Sequence, residues 1–168
     1  MVAVASEVAP GRWRASAGRC FEDFTVGDVY EHRPGRTISE ADNTWFTLLT
    51  MNQHPLHFDA AYAGKSEFGR LVVNSCLTLS IVAGMSVADV SQNAIANLGW
   101  TDIKLTSPVF IGDTIYAESE VVAKRESQSR PTQGVVTVRT TGRKSDGTVF
   151  MTYQRAVLVP KRGHAVDD

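Results

Sequence analysis

The stretch Asn74-Ser75-Cys76-Leu77-Thr78-Leu79-Ser80-Ile81-Val82-Ala83-Gly84-Met85-Ser86-Val87 decides the fold class. Asn74 or Ser75 fits a helix N-cap, where a short side-chain oxygen accepts from a first-turn amide. Residues 76–87 are apolar around most of a helical circumference, the pattern of a helix enclosed on several sides. The other elements are therefore expected to pack around it. Asn74, Ser75, Thr78, Ser80, Gly84 and Ser86 interrupt the run, so it is too polar to span a bilayer.

Downstream the period changes. Residues 95–106, 114–126, 134–144 and 148–159 alternate or run β-branched, with Pro108, Gly112-Asp113, Ser129 to Pro131 and Asp146-Gly147 as breaks. Asp146-Gly147 is a hairpin signal. Upstream, the Gly27-Asp28 turn precedes a short strand, Val29-Tyr30-Glu31-His32. Ser39 fits a second N-cap, with Glu40 and Asp42 at the positive end of the helix dipole. Trp45, Phe46, Leu48 and Leu49, with Ile38, predict one apolar face on that helix. It should stop near Asn52, because Pro55 disfavours helical geometry at His54. A short helix is expected after His57, with Asp59 in its first turn. Together these predict an α+β domain over residues 19–160, a helix against an antiparallel sheet. Residues 1–18 read as a flexible arm and 161–168 as a polar tail.

The 168 residues are 43% hydrophobic and 21% charged, an ordinary globular composition. The net charge of -1, without a basic cluster, speaks against nucleic acid as a partner. No membrane partner is expected either. Cys20 and Cys76 lack CxxC spacing, so neither a zinc site nor a disulfide framework is implied and a reducing cytoplasm is the default. Cys76, inside the apolar run, reads as small core filler.

Chemistry concentrates in Thr50-Met51-Asn52-Gln53-His54-Pro55-Leu56-His57. Two imidazoles and two carboxamides fall within six residues, between two helices, and Pro55 stiffens the turn that would position them. Imidazole suits proton transfer near neutral pH. Polar residues at a helix end also often just cap carbonyls or hydrogen-bond a loop. A metal site is the weaker reading: Pro55 lies between the histidines and no third ligand is apparent.

This segment resembles the MaoC-like (R)-specific enoyl-CoA hydratase/dehydratase family (hydratase 2). The family motif is Asp-x-Asn-Pro-(Ile/Leu)-His, and Asn52-Gln53-His54-Pro55-Leu56-His57 is similar to it. Three other pieces stand in register: Phe21 to Asp28, Thr37-Ile38-Ser39-Glu40-Ala41-Asp42, and Ser107-Pro108-Val109-Phe110-Ile111-Gly112-Asp113-Thr114. Trp45-Phe46 and Asn52 are similar to the mesaconyl-CoA hydratase (methylmalyl-CoA dehydratase) branch.

The resemblance implies a hot-dog fold, an antiparallel sheet wrapped around a long central helix, here Asn74 to Val90. It also implies hydration of a 2-enoyl-CoA without a cofactor, in a homodimer or higher homo-oligomer. His57 matches the catalytic histidine. Backbone amides around Asn74, Ser75 and Cys76 match the donors that polarise the thioester carbonyl, the role for which helix N-terminal N–H groups are suited.

Two positions depart from the motif. Asn52 stands where the family has its catalytic Asp, and His54 where it has Asn. A carboxamide can orient a water but cannot take its proton. His54 is the substitute expected, sharing acid and base roles with His57. For a substrate carboxylate, Arg36, Lys65 and Arg70 lie near in sequence, although solvated surface is the favoured explanation of these charges. Two rivals stay open. An acyl-CoA thioesterase on the same fold would need an acid on the central helix, where Asp89 comes only near the end. A non-catalytic acyl-thioester binder would make Asn52 natural.

Overall fold

A computed structural model describes residues 4–16 and 18–166. Strand β1 (Val4–Ala9) pairs antiparallel with β2 (Arg12–Ser16) as a separate two-stranded hairpin. Residues 4–16, expected as an arm without regular structure, thus carry a local ladder of their own. The main sheet contains β3 (Val29–Thr37), β4 (Ala96–Leu105), β5 (Thr114–Glu126), β6 (Gln133–Lys144) and β7 (Val149–Pro160). Its order is β3-β5-β6-β7-β4, all antiparallel. Helix α1 (Glu40–Leu49) and the one-turn α2 (Ala60–Ala63) precede α3 (Ser75–Met85), which runs on into a π turn, Val87–Ser91.

The four predicted downstream strands form within about two residues of their expected limits. Alternation is the cause: Ile115, Ala117, Ser119 and Val121 of β5 turn to one buried face, and the polar residues between them stay partly open. Asp146 Oδ1 accepts from Thr148 N (2.9 Å) and Gly147 is left-handed (φ 88°), which closes the β6–β7 hairpin. One core cluster joins Leu77 and Val82 of α3 to Ile38, Ile115, Phe150, Met151 and Tyr153. A second joins Phe21 and Phe24 to Val121, Val136, Val157 and Val159. Gly134 admits the Phe21 ring: a Cβ there would overlap the ring carbons.

Three expectations change. Helix α1 is capped as predicted, Ser39 Oγ accepting from Asp42 N (3.1 Å) and Asp42 Oδ2 from Ser39 N (3.0 Å). Of its expected apolar face, Ile38 and Phe46 pack on the core, but Trp45 (68% exposed), Leu48 and Leu49 (76% exposed) face outward, while Asn43 and Thr47 are fully buried. The inward face meets backbone groups that need partners, and that requirement outranks apolar burial. Helix α3 buries only Leu77, Thr78 and Val82 completely; Ser80 and Gly84 lie open, so this single chain covers one side of it. Cys76 is exposed in the first turn of α3 and is not core filler; Cys20 is the buried thiol.

Candidate active site

Helix α1 ends at Thr50, and Met51 reverses the chain in a left-handed conformation (φ 57°). Asn52 N then donates to Thr47 O (3.0 Å), and Asn52 Oδ1 accepts from His54 N (3.0 Å), an Asx turn. Pro55 opens a 3-10 turn over Pro55–His57, for which its fixed φ is suited. His54 caps that turn, Nδ1 accepting from Leu56 N (3.1 Å). Half-buried Asn52 and exposed His54 therefore both spend one atom on the loop itself.

His57 is half-buried, and its Nδ1 lies 2.9 Å from Val72 O. A carbonyl only accepts, so Nδ1 carries the proton and Nε2 keeps a lone pair. His54 has the opposite tautomer in its neutral form, with Nδ1 accepting and Nε2–H pointing outward. The two rings lie 5.8 Å apart between centroids. The loop thus pairs one imidazole acceptor with one imidazole donor. That is narrower than the sequence expectation, in which His54 could serve as base: its capping bond occupies one lone pair and tautomerism removes the other.

The start of α3 closes this arrangement. Asn43 was missed in the sequence, yet it is the hub: Nδ2 donates to His57 O (2.7 Å) and Val72 O (3.3 Å), and Oδ1 accepts from Asn74 N (2.8 Å). Asn74 is buried, donating through Nδ2 to Thr47 Oγ1 (3.3 Å) and accepting from Cys76 N through Oδ1 (3.0 Å). Of the three expected backbone donors, the amides of Asn74 and Cys76 are thereby engaged. Ser75 N, in the exposed first turn, is the one left open. A crevice of about 30 Å³, water-sized, lies beside it between Ser75, Thr78 and Pro108. The legible signal was the spacing of Asn43 and Thr47: i, i+4, one polar stripe on a helix whose apolar residues lie elsewhere.

The other candidates have structural partners. Asp59 caps α2, accepting from Tyr62 N (3.0 Å). Arg36 pairs with Asp42 (2.6 Å), and the Arg70 guanidinium lies 3.7 Å from the centroid of Phe110. Lys65 is exposed.

A second polar cluster lies inside the domain. Fully buried His32 contacts Asp89 Oδ2 through Nδ1 (3.0 Å) and Ser119 Oγ through Nε2 (2.8 Å), and Ser119 contacts Thr140 (2.8 Å). Arg19 Nη1 reaches Asp89 Oδ1 (3.3 Å). Burial pushes the His32 pKa below its ordinary value, against the pull of Asp89 and aided by the positive charges of Arg155 and Arg19. Burial alone would raise Asp89, but the bond from His32 and the Arg19 guanidinium hold it below the usual carboxylate range. Ser, His and Asp stand here in a relay order, but His32 has no exposed surface, so the relay braces the sheet against the π turn.

Residues 11–168 match the family model described as mesaconyl-CoA hydratase. The chain belongs to the mesaconyl-CoA hydratase family. It is 36% identical over 152 residues to the mesaconyl-CoA hydratase of Cereibacter sphaeroides, covering 90% of this chain and 44% of that protein. With the beta-methylmalyl-CoA dehydratase of Chloroflexus aurantiacus it shares 35% over 149 residues, 89% of this chain and 42% of that one. This family member therefore spans less than half the length of the curated relatives it matches. In structure it resembles a Mycobacterium tuberculosis protein described as a double hot-dog fold, with a TM-score of 0.80 at 22% identity, covering 89% of this chain and 47% of that one. The MaoC-like family and its hot-dog fold, expected from the motifs, are those of this chain.

Proposed function

We propose that the chain catalyses reversible hydration and dehydration of a 2-enoyl-CoA, with a branched dicarboxylic thioester such as mesaconyl-CoA as the favoured class. The observation that carries this reading is the fixed tautomer of His57: Nδ1–H is held by Val72 O (2.9 Å), which leaves the Nε2 lone pair available as a proton acceptor. In hydration Nε2 takes a proton from water as the oxygen attacks C3, and the imidazolium so formed returns that proton to C2 as the enolate collapses to the 3-hydroxyacyl thioester. The Ser75 amide, at the positive end of α3, stabilises the enolate-like oxygen that develops on the thioester. In this reading His54 Nε2–H and Asn52 Nδ2 orient the water. Pro55 holds the turn on which both imidazoles ride.

The thioesterase reading is weakened by Asp89, which is 6% exposed and bound to His32 and Arg19 rather than open to an attacking water.

A homodimer completes this reading. Strand β4 pairs with β7 on one side only, and carries exposed Leu98, Trp100, Ile103 and Leu105. A long apolar edge strand is a template for another strand, and a second copy about a two-fold axis would add its own β4. It would also cover the open side of α3. No helix among the described residues is long and apolar enough to cross a membrane. We propose the cytoplasm as its compartment, where Cys20 and Cys76 would stay reduced.

The test is hydration of mesaconyl-CoA and crotonyl-CoA by the purified protein. Turnover that falls by about a hundredfold or more in His57→Ala supports the assignment. Release of free CoA, read with a thiol reagent, would favour the thioesterase. Tight acyl-CoA binding without turnover would favour the binder.

A further inference from the structure

Arg155 lies on β7 with its side chain turned inward, only 3% exposed. Its Nη2 donates to Ser86 Oγ (3.1 Å), and its buried Nε meets no acceptor among the described residues. No carboxylate among the described residues pairs with it. Asp89, three residues beyond Ser86, is already bonded to His32 and Arg19. Burial pushes the guanidinium pKa down, but arginine remains ionised at any working pH. A buried cation without its counter-charge is costly, which makes the space beside it informative.

That space is a cavity of about 450 Å³ between α3 and β4. Ala83, Val87, Trp100 and Ile103 form its apolar wall, Ser91 and Asn97 add polar groups, and Arg155 supplies the one charge. The volume suits a small ligand. One fixed cation in a largely apolar chamber matches a carboxylate carried on a short hydrocarbon body.

We propose that this chamber binds such a carboxylate, with Arg155 as its counter-charge. The chamber is distinct from this chain's own His57 loop. Its near wall begins at Leu79, but its cation is bonded to Ser86, eleven residues beyond Ser75, which is about 16 Å along a helix axis and longer than a four-carbon diacid. The carboxylate has two possible sources. It is a free small acid, or it is the second carboxylate of a dicarboxylic thioester held by the His57 loop of a second copy, since the chamber lies beside the open β4 edge. The second source rests on the hydratase and dimer reading above; the first does not.

The experiment has one arm for each source. Calorimetric titration of the full chain with methylsuccinate, against its uncharged diamide, reads the free acid. Steady-state kinetics with mesaconyl-CoA and crotonyl-CoA read the thioester. Arg155→Met keeps length and removes charge, while Arg155→Lys keeps charge. In the first case methylsuccinate binds, the diamide does not, and Arg155→Met weakens binding by about thirtyfold or more. In the second, Arg155→Met raises KM for mesaconyl-CoA about thirtyfold more than KM for crotonyl-CoA, and Arg155→Lys recovers part of that.

Either result supports the site. It is overturned if methylsuccinate binds no better than the diamide and Arg155→Met leaves the ratio of the two KM values unchanged. A variant that shifts only the dimer dissociation constant overturns it too, because the partner's own carboxylate then fills the chamber. If neither thioester turns over, the hydratase reading fails and the titration alone decides the site. If Arg155→Met does not fold, the diacid–diamide comparison on the unaltered chain and Arg155→Lys decide it.

Discussion

Asn52 accepts the His54 amide through Oδ1 (3.0 Å), and an aspartate in the same rotamer would accept it equally well, so the loop should tolerate Asn52→Asp. The substitution adds the carboxylate that the related motif carries. Crotonyl-CoA hydration is expected to rise by about tenfold to a hundredfold, read as kcat, with melting temperature little changed. An unchanged or lower kcat would show that His57 works here without a second proton acceptor. The spacing of Asn52, His54, Pro55 and His57 made this loop legible in the sequence. The tautomers were not legible, because they depend on Val72 O and Leu56 N, backbone atoms whose direction only the folded chain sets.

Elements show where sequence periodicity suffices and where it does not. Strands β5, β6 and β7 were readable because one face is core and the other solvent, so a two-residue period carries the whole signal. The orientation of helix α1 was not: Trp45, Leu48 and Leu49 make an apolar stripe, but Asn43 points inward to backbone groups and Thr47 to the Asn74 side chain. Close approach was invisible as well. Gly134→Ala would drive a methyl into the Phe21 ring and should cost about 1–3 kcal/mol, measured by denaturant unfolding. Adding Phe21→Leu should recover part of that loss; additive costs would mean the two do not touch.

The His32 cluster predicts a pH effect on the same elements. Because its folded pKa is depressed, His32 contributes stability that is fully present above its unfolded pKa of about 6.5 and is lost as pH falls toward the folded value. Melting temperature should therefore drop from pH 7 to pH 5, above the range where the paired carboxylates protonate. In His32→Gln that slope should flatten, although the variant is less stable throughout. Equal slopes would place the proton uptake elsewhere.

On the scale of the whole molecule, apolar surface gathers on the β4 edge and on α1, while the opposite edge strand β3 is interrupted by a register shift between His32 and Arg36. Sedimentation or light scattering should report a dimer, and Ile103→Lys should convert it to monomer with loss of hydratase turnover. A fully active Ile103→Lys monomer would separate catalysis from assembly. The fold class was legible because the central apolar helix and four alternating strands admit few arrangements. Assembly was not, since an exposed apolar residue and a core residue look alike until the chain is folded. The one-sided pairing of β4 also has an arithmetic consequence. If two copies pair through β4 as proposed, each residue of the strand occurs twice across the two-fold axis, so a substitution acts on both halves of the contact at once. A change of about 1 kcal/mol per chain becomes about 2 kcal/mol in the association constant, roughly thirtyfold. In such a dimer the strand could drift only along substitutions that suit their own symmetry-related position, a restriction that a chain carrying two unequal copies of the fold would escape.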